Sequence, residues 1–292
     1  MPHLDDKKIR ALEIMANRLR QHVISSVAHA GSGHQGGPLG MADIFAALYF
    51  HILNHDPKNT AWAERDRLIL SNGHICPVRY AAMAEAGYFP VEELMTLRQF
   101  GSRLQGHPER LRLPGSETTS GPLGAGLAQA VGMALALKMD ASTSSAQATK
   151  KPRVYALTSD GEHEAGLHWE ATLFAGKNKL DNLVCVVDRN NIQIDGNTED
   201  IMPLEPLRAK YEAFNWFVIE INGNDMEDVI RGFEEAKGIH EMPICIIAHT
   251  IPGKGVSFME NDYHWHSRAF KEGEAEQALK ELALIGKALA TE

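Results

Sequence analysis

The sequence predicts an α/β fold, a mostly parallel β-sheet with helices on both faces, formed as one domain over residues 1–292. Two observations carry this. Near-continuous apolar runs recur at 153–159, 183–188, 216–221 and 243–249, separated by helical segments, which is how strands buried on both faces of a parallel sheet read. The chain has 292 residues and 44% hydrophobic content, enough for a full core.

The elements follow in order. Residues 7–29 predict a helix, because Ile9, Leu12, Met15, Leu19, Val23 and Val27 recur at three- and four-residue steps and Asp5 or Asp6 can cap it. A Gly-rich loop fills 31–37. Residues 38–53 read as helical, with Pro38 tolerated in the first turn. A short strand at 67–71 ends in Asn72-Gly73-His74, and helical segments follow near 77–97. The stretch 101–124 is too long for a simple connection and is rich in Gly, Pro, Ser and Thr, so it is expected to be functional. Residues 125–139 form an Ala-rich helix and 140–152 a surface loop within the domain. Helices at 165–177 and 225–237 alternate with the four strands. A Gly- and His-containing loop spans 252–268, and a helix at 274–290 closes the chain, with Leu279, Leu282 and Leu289 on its buried side. There are no internal repeats.

Composition excludes several classes. Net charge is −9 without a Lys/Arg block, which argues against a nucleic-acid or anionic-membrane partner. No apolar run approaches the roughly 20 residues of a membrane span, and the N-terminus has no apolar signal-peptide core. The three cysteines, Cys76, Cys185 and Cys245, form no C-x-x-C pair and read as core side chains of a reducing, cytoplasmic setting.

Two strand ends carry oxygen ligands. One run ends in Ser159-Asp160-Gly161 and the next in Asp188-Arg189-Asn190-Asn191. The spacing of Asp160 and Asn190 corresponds to one strand–helix–strand unit. Parallel neighbours therefore bring both to the carboxyl edge of the sheet, where ligands bind. A carboxylate, an amide oxygen and a nearby carbonyl suit Mg²⁺, with Ca²⁺ as a substitute, and not zinc. Gly161 lets the backbone approach a phosphate, and the helix starting near 165 offers its positive end.

The loop at 31–37 fits G-x-G-x-x-G, but a helix precedes it rather than a strand, which excludes the dinucleotide reading. The segment Ser32-Gly33-His34-Gln35-Gly36-Gly37-Pro38-Leu39-Gly40 instead resembles the S-G-H-P-G-x-P-L-G motif of transketolases, with Gln35 in place of proline. Arg65-Asp66-Arg67-Leu68-Ile69-Leu70-Ser71-Asn72-Gly73-His74 is similar to their R-D-R-hydrophobic-S-x-G-H segment. Gly106-His107-Pro108-Glu109 and Thr118-Thr119-Ser120-Gly121-Pro122-Leu123-Gly124 resemble two further motifs. Asp160-Gly161 to Asn190-Asn191 resembles the thiamine-diphosphate signature, with Ser159 in place of its first glycine. Gly253-Lys254-Gly255-Val256 with Trp265-His266 resembles the closing loop. The six motifs stand in the family's order and span most of the chain.

The resemblance implies a thiamine-diphosphate-binding fold and assigns roles. His34, His74, His107 and His266 surround the reactive carbon of the cofactor and hold sugar hydroxyls, which imidazole suits because it donates and accepts hydrogen bonds. Gly121 and Leu123 pack on the aminopyrimidine. Asp160, the Asn190 side chain and the Ile192 carbonyl bind Mg²⁺. Gly161 and Ile194 lie against the cofactor, with His74 and His266 beside it. His264 lies one alternation from His266 and is the competing candidate. Ala165 stands where relatives carry a glutamate, Glu164 is displaced from that place by one residue, and Glu170 matches a later family glutamate.

The resemblance also implies what lies elsewhere. The pyrimidine-binding and C-terminal domains, with the glutamate that activates the cofactor and the sugar-phosphate anchors, are expected on a C-terminal partner subunit, two copies of each chain forming a heterotetramer. The expected reaction moves a two-carbon ketol unit from a ketose phosphate to an aldose phosphate. Alternatives are the same part of a sulfosugar transketolase or a deoxyxylulose-phosphate synthase, or a non-catalytic binding subunit.

Overall fold

A computed structural model describes residues 5–143 and 152–291. The chain opens with α1 (Asp6–Ala30), whose N-terminus is capped by the Asp5 side chain accepting from the Lys7 N–H. Gly31 ends it in the left-handed region, φ 67°, a conformation that costs glycine little. The expected helix at 38–53 is instead broken into α2 (Gly36–Gly40), α3 (Ala42–Ala47) and a π-helical turn over Leu48–Ile52. The break is local, since Met41 sits at φ −85°, ψ 0° between the two short helices.

Strand β1 (Arg67–Leu70) leads through a 3₁₀ turn (Gly73–Ile75) into α4 (Cys76–Glu85). A second 3₁₀ segment covers Val91–Thr96. Helix α5 (Ala125–Thr143) runs beyond its expected end, so residues 140–143 of the surface loop expected over 140–152 are helical instead, and the rest of that expectation lies largely outside the described residues. Strand β2 (Val154–Ser159), a 3₁₀ turn (Asp160–Glu164), α6 (Gly166–Lys177) and β3 (Leu183–Arg189) follow. Between β3 and the next long strand lie elements with no clear sequence period. They are a two-residue hairpin, β4 (Ile192–Gln193) and β5 (Gly196–Asn197), and two short helices, α7 (Thr198–Ile201) and α8 (Leu207–Ala213). The chain closes with β6 (Phe217–Asn222), α9 (Met226–Lys237), β7 (Ile244–His249), a 3₁₀ turn (Tyr263–Trp265) and α10 (Glu274–Thr291).

The five long strands form one parallel sheet in the order β1-β2-β3-β7-β6. Alternation of side chains splits the core in two. Tyr155, Leu157, Val184, Val186, Ile244 and Ile246 face α1, α3, α4, α9 and α10. Val154, Ala156, Cys185, Val187 and Cys245 face α5, α6 and α8. All three cysteines are buried and free, as small core side chains. The strand order reverses after β6, and because strand–helix–strand crossovers are right-handed, reversal moves the connecting helix to the opposite face. Accordingly α9 packs beside α1 and α3. Segments leaving β1 and β7 thus turn to one side, and those leaving β2 and β3 to the other, with the carboxyl edge of the sheet between them. No helix among the described residues is long and apolar enough to cross a membrane.

Candidate functional site

Strands β2 and β3 pair so that Ser159 stands opposite Asp188, which puts Asp160 and the 188–192 segment at one edge. Asp160 is 1% exposed. Its Oδ2 accepts from Arg189 Nη1 at 3.0 Å, the Asn191 N–H at 2.8 Å and Thr198 Oγ1 at 2.9 Å. Its Oδ1 is equally buried and has no partner. Burial raises the Asp160 carboxyl above its ordinary range, opposed first by the Arg189 charge and then by the donors on Oδ2. Asn190 Nδ2 donates to Asp188 Oδ2 at 2.9 Å, which fixes the amide so that Oδ1 is its acceptor end, bonded by the Ile192 N–H at 3.0 Å. Asn191 adopts the left-handed region at φ 63°, which asparagine tolerates better than most residues. The Asn-Asn pair therefore divides its labour: Asn190 supplies an oxygen, and Asn191 bends the chain so that its N–H reaches Asp160.

Two glycines that the sequence marks for the cofactor have open space at their own Cβ positions. A Cβ placed on Gly121 would meet nothing within 4 Å, and one on Gly161 would meet only Gln193 Cδ at 3.9 Å. Leu123 and Ile194 are exposed apolar side chains, at 43% and 66%. Ile192 is buried at the start of β4. Among the described residues no group of three or more His, Cys, Asp or Glu is placed to hold a metal ion. The donors on hand are one free carboxylate oxygen, an amide oxygen and a carbonyl, the set of a hard cation that completes its sphere with ligand phosphates and water. The unpartnered Asp160 Oδ1 is the feature that such a cation would satisfy, and the open Cβ position at Gly161 is compatible with a phosphate close to the backbone there.

Four histidines converge from four separate segments. Ring centroids lie 5.1 Å apart for His34–His74, 5.4 Å for His34–His266, 5.1 Å for His74–His266 and 6.4 Å for His34–His107. His264 points away: its side chain is 66% exposed, and its Nδ1 lies 2.7 Å from Asp262. Burial disfavours the charged form throughout the cluster. It lowers His34 to about 3, helped by His266, His107 and Arg98. It lowers His74 with help from His266, His34 and His107, lowers His107 with help from Arg98, and lowers His266 by itself. Neutral imidazoles each offer one donor and one acceptor, which suits binding of vicinal hydroxyls.

The loops bearing these rings are tied together. Gly253 N–H donates to the Gly36 carbonyl at 2.9 Å, and Ser267 Oγ to the Gly33 carbonyl at 3.1 Å. Gln35 is 0% exposed, and its Nε2 donates to the Arg268 carbonyl at 2.8 Å, a tie that a proline in its place could not make. A Cβ on Gly36 would come within 2.9 Å of the Trp265 carbonyl oxygen, so glycine is what admits the 252–268 loop this close.

Sequence reasoning missed Glu162. It is 0% exposed and accepts from Ser71 Oγ, from the Gly124 N–H at 2.9 Å and from the Ser159 N–H at 3.0 Å. It thereby clamps the end of β1 and the 121–124 turn onto the Asp160 turn. Burial raises its carboxyl to about 7 against those three donors. Two residues on, Glu164 is exposed and accepts from Gln193 Nε2 at 2.5 Å. Ala165 faces Gly124, where a Cβ would come within 2.6 Å of the alanine methyl. Glu170 is exposed on α6. Arg189 was also missed; it is 3% exposed and pairs with Asp160, Glu199 and Glu205.

Comparison with known proteins adds an independent finding. Residues 12–287 match the family described as transketolase, thiamine diphosphate binding domain. The 6-deoxy-6-sulfo-D-fructose transketolase subunit of Clostridium sp. (strain MSTE9) is 41% identical over 275 residues, covering 94% of this chain and 97% of that protein. An apulose-4-phosphate transketolase subunit of Phocaeicola vulgatus is 38% identical over 276 residues, covering 94% of this chain and 95% of that protein. The crystal structure of transketolase from Campylobacter jejuni superposes with a TM-score of 0.87 at 36% identity, over 94% of this chain but 43% of that one. The chain spans nearly the whole of the relatives named as subunits and less than half of the Campylobacter jejuni transketolase chain. It belongs to the transketolase family, as its thiamine-diphosphate-binding part.

Proposed function

We propose that this chain is the cofactor-binding subunit of a two-chain transketolase, which moves a two-carbon ketol unit from a ketose phosphate to an aldose phosphate. The observation that carries the reading is the convergence of four imidazoles on one another, alongside a half-bonded Asp160 at the end of β2. Asp160, the Asn190 amide oxygen and the Ile192 carbonyl would hold Mg²⁺, and Gly161 would pass the diphosphate. Gly121 and Leu123 would pack on the aminopyrimidine, with Ile194 against the rest of the cofactor. Thiamine diphosphate supplies, when bound, a carbon that stabilises a carbanion after carbon–carbon cleavage. This chain's own task is to bind and orient. His34, His74, His107 and His266 grip sugar hydroxyls and move protons between oxygen atoms, and neutral rings can do both without a prior ionisation.

A partner chain follows from the same reading. Leu167, Leu173 and Phe174 project from α6 at 45%, 57% and 45% exposure, and Ile194 and Met202 stand out at 66% and 52%. Bare apolar side chains on one helix and the neighbouring turns are what an interface between subunits covers. The pyrimidine-binding and C-terminal domains, and the sugar-phosphate anchors, would come from that partner in an assembly of two plus two, in the cytoplasm. Residues 1–292 would then be one diphosphate-binding domain. The named sugars of the relatives include a sulfonated and a phosphorylated one, which supports placing the choice of sugar on the partner. Calorimetric titration of thiamine diphosphate into the chain plus its partner, with and without Mg²⁺, tests the reading. Binding that ignores Mg²⁺ would contradict it.

A further inference from the structure

Arg98 stands in the left-handed backbone region at φ 60°. A non-glycine residue there is strained and stays only where its surroundings hold it. Its N–H donates to the Leu104 carbonyl at 2.9 Å, and its Nε donates to Ser32 Oγ at 3.0 Å. The side chain passes between two glycines. At Gly106 a Cβ would run into the guanidinium, and at Gly33 a Cβ would meet Arg98 Cδ at 3.8 Å. Ser32 lies two residues from His34, and Gly106 directly precedes His107. One side chain therefore joins the two loops whose rings meet edge-to-face at 6.4 Å. Among the described residues no carboxylate is in ion-pair contact with Arg98, whose side-chain hydrogen bond is to the Ser32 hydroxyl.

We propose that Arg98 is a positioning residue for the histidine cluster, tying the His34 loop to the His107 loop and presenting a fixed positive charge to both rings. The charged or titratable groups that bear on His34 are His266, His107 and Arg98; those on His74 are His266, His34 and His107. On His107 the charge is Arg98, and on His266 burial acts without one. Removal of the guanidinium thus eases protonation of His34 and His107 and loosens the spacing between their loops. The consequence for catalysis rests on the transketolase reading; the consequence for the rings does not.

The test is a histidine Cε1–H NMR titration of the full chain as wild type, Arg98→Met, Arg98→Gln and Arg98→Lys, paired with the pH profile of ketol transfer by each chain with its partner. Arg98→Met and Arg98→Gln are expected to move His107 and His34 titration upward, shift the acid limb of kcat/KM to higher pH and lower kcat. Arg98→Lys, which keeps the charge, is expected to restore the titrations. If Arg98→Met does not fold, Arg98→Gln, which keeps a donor for Ser32, decides. Unmoved titrations in a folded Arg98→Gln chain would overturn the assignment. Shifted titrations without ketol transfer would overturn the activity and leave Arg98 in place.

Discussion

Arg189 and Asp160 form an ion pair at 3.0 Å with side chains 3% and 1% exposed, and the pair uses only one of the two carboxylate oxygens. The other oxygen carries the cost of burial without a donor, and a cation beside it would remove that cost. On the proposed function, cation binding at Asp160 would therefore stabilise the chain.

Asp160→Asn tests this directly. It keeps the shape and an oxygen for the Oδ2 donors, and it removes the charge. Mg²⁺-dependent thiamine-diphosphate binding should be lost, while the chain still unfolds cooperatively. Titration of the cofactor by tryptophan fluorescence reads the first and a urea transition the second. Undiminished, Mg²⁺-dependent binding would show that the metal sits elsewhere.

His266 and His264 should separate sharply. His266 lies 5.1 Å from His74, whereas His264 is bound to Asp262 at the surface. His266→Ala is expected to lower kcat/KM by roughly 10²-fold, the scale of one lost proton-transfer group. His264→Ala should change it less than about threefold, a difference of under 1 kcal/mol. Steady-state rates of the assembled enzyme settle this, and the reverse ranking would move the catalytic loop by two residues.

Glu162 makes stability depend on pH. Its folded carboxyl titrates at about 7 against an ordinary 4.5. Between those values the folded chain keeps a proton that the unfolded chain has released, so stability falls as pH rises. The loss is on the order of 3 kcal/mol across the interval. Asp188, raised by burial from 3.8 to about 7, adds a slope of the same sign. Urea midpoints at about pH 5 and about pH 8 should therefore differ less in Glu162→Gln than in the wild type. Equal slopes in the two chains would mean that Glu162 is not the source of the dependence.

Leu173 and Phe174 are exposed enough to change without unfolding the chain. Leu173→Asp or Phe174→Asp should leave the isolated chain's melting point nearly unchanged, within about 0.5 kcal/mol of stability. Either should weaken association with the partner by at least roughly tenfold, since a buried interfacial charge costs more than about 1.4 kcal/mol. Analytical ultracentrifugation of the mixture measures the effect. Unchanged association would place the interface on another face.

Much of this molecule is legible along the chain. Leu183 to Val187 is an unbroken apolar run because both of its faces are buried, and the alternation of the two cores is written in residues such as Cys185 and Val186. Asp160 and Asn190 could be placed together because one crossover separates them. The histidines were legible as motifs, though the ring they form is a product of four loops. What stayed hidden depends on meetings that no local pattern encodes. Glu162 looks like one acid among several in Asp160-Gly-Glu-His-Glu until the fold brings Ser71 and Gly124 to it. Arg98 looks like a surface cation until Ser32 and Gly106 close around it. The helix expected at 38–53 is longer than any found there, because an apolar stretch buried on all sides has no period to show where it bends.

If this chain forms one wall of a shared active site, neither wall works without the other. Ketol transfer from a ketose phosphate to an aldose phosphate, assayed with thiamine diphosphate and Mg²⁺ for the chain alone, the partner alone and the two mixed, tests this most directly. Turnover is expected in the mixture and in neither chain by itself. Full turnover by this chain without the partner would contradict the shared site.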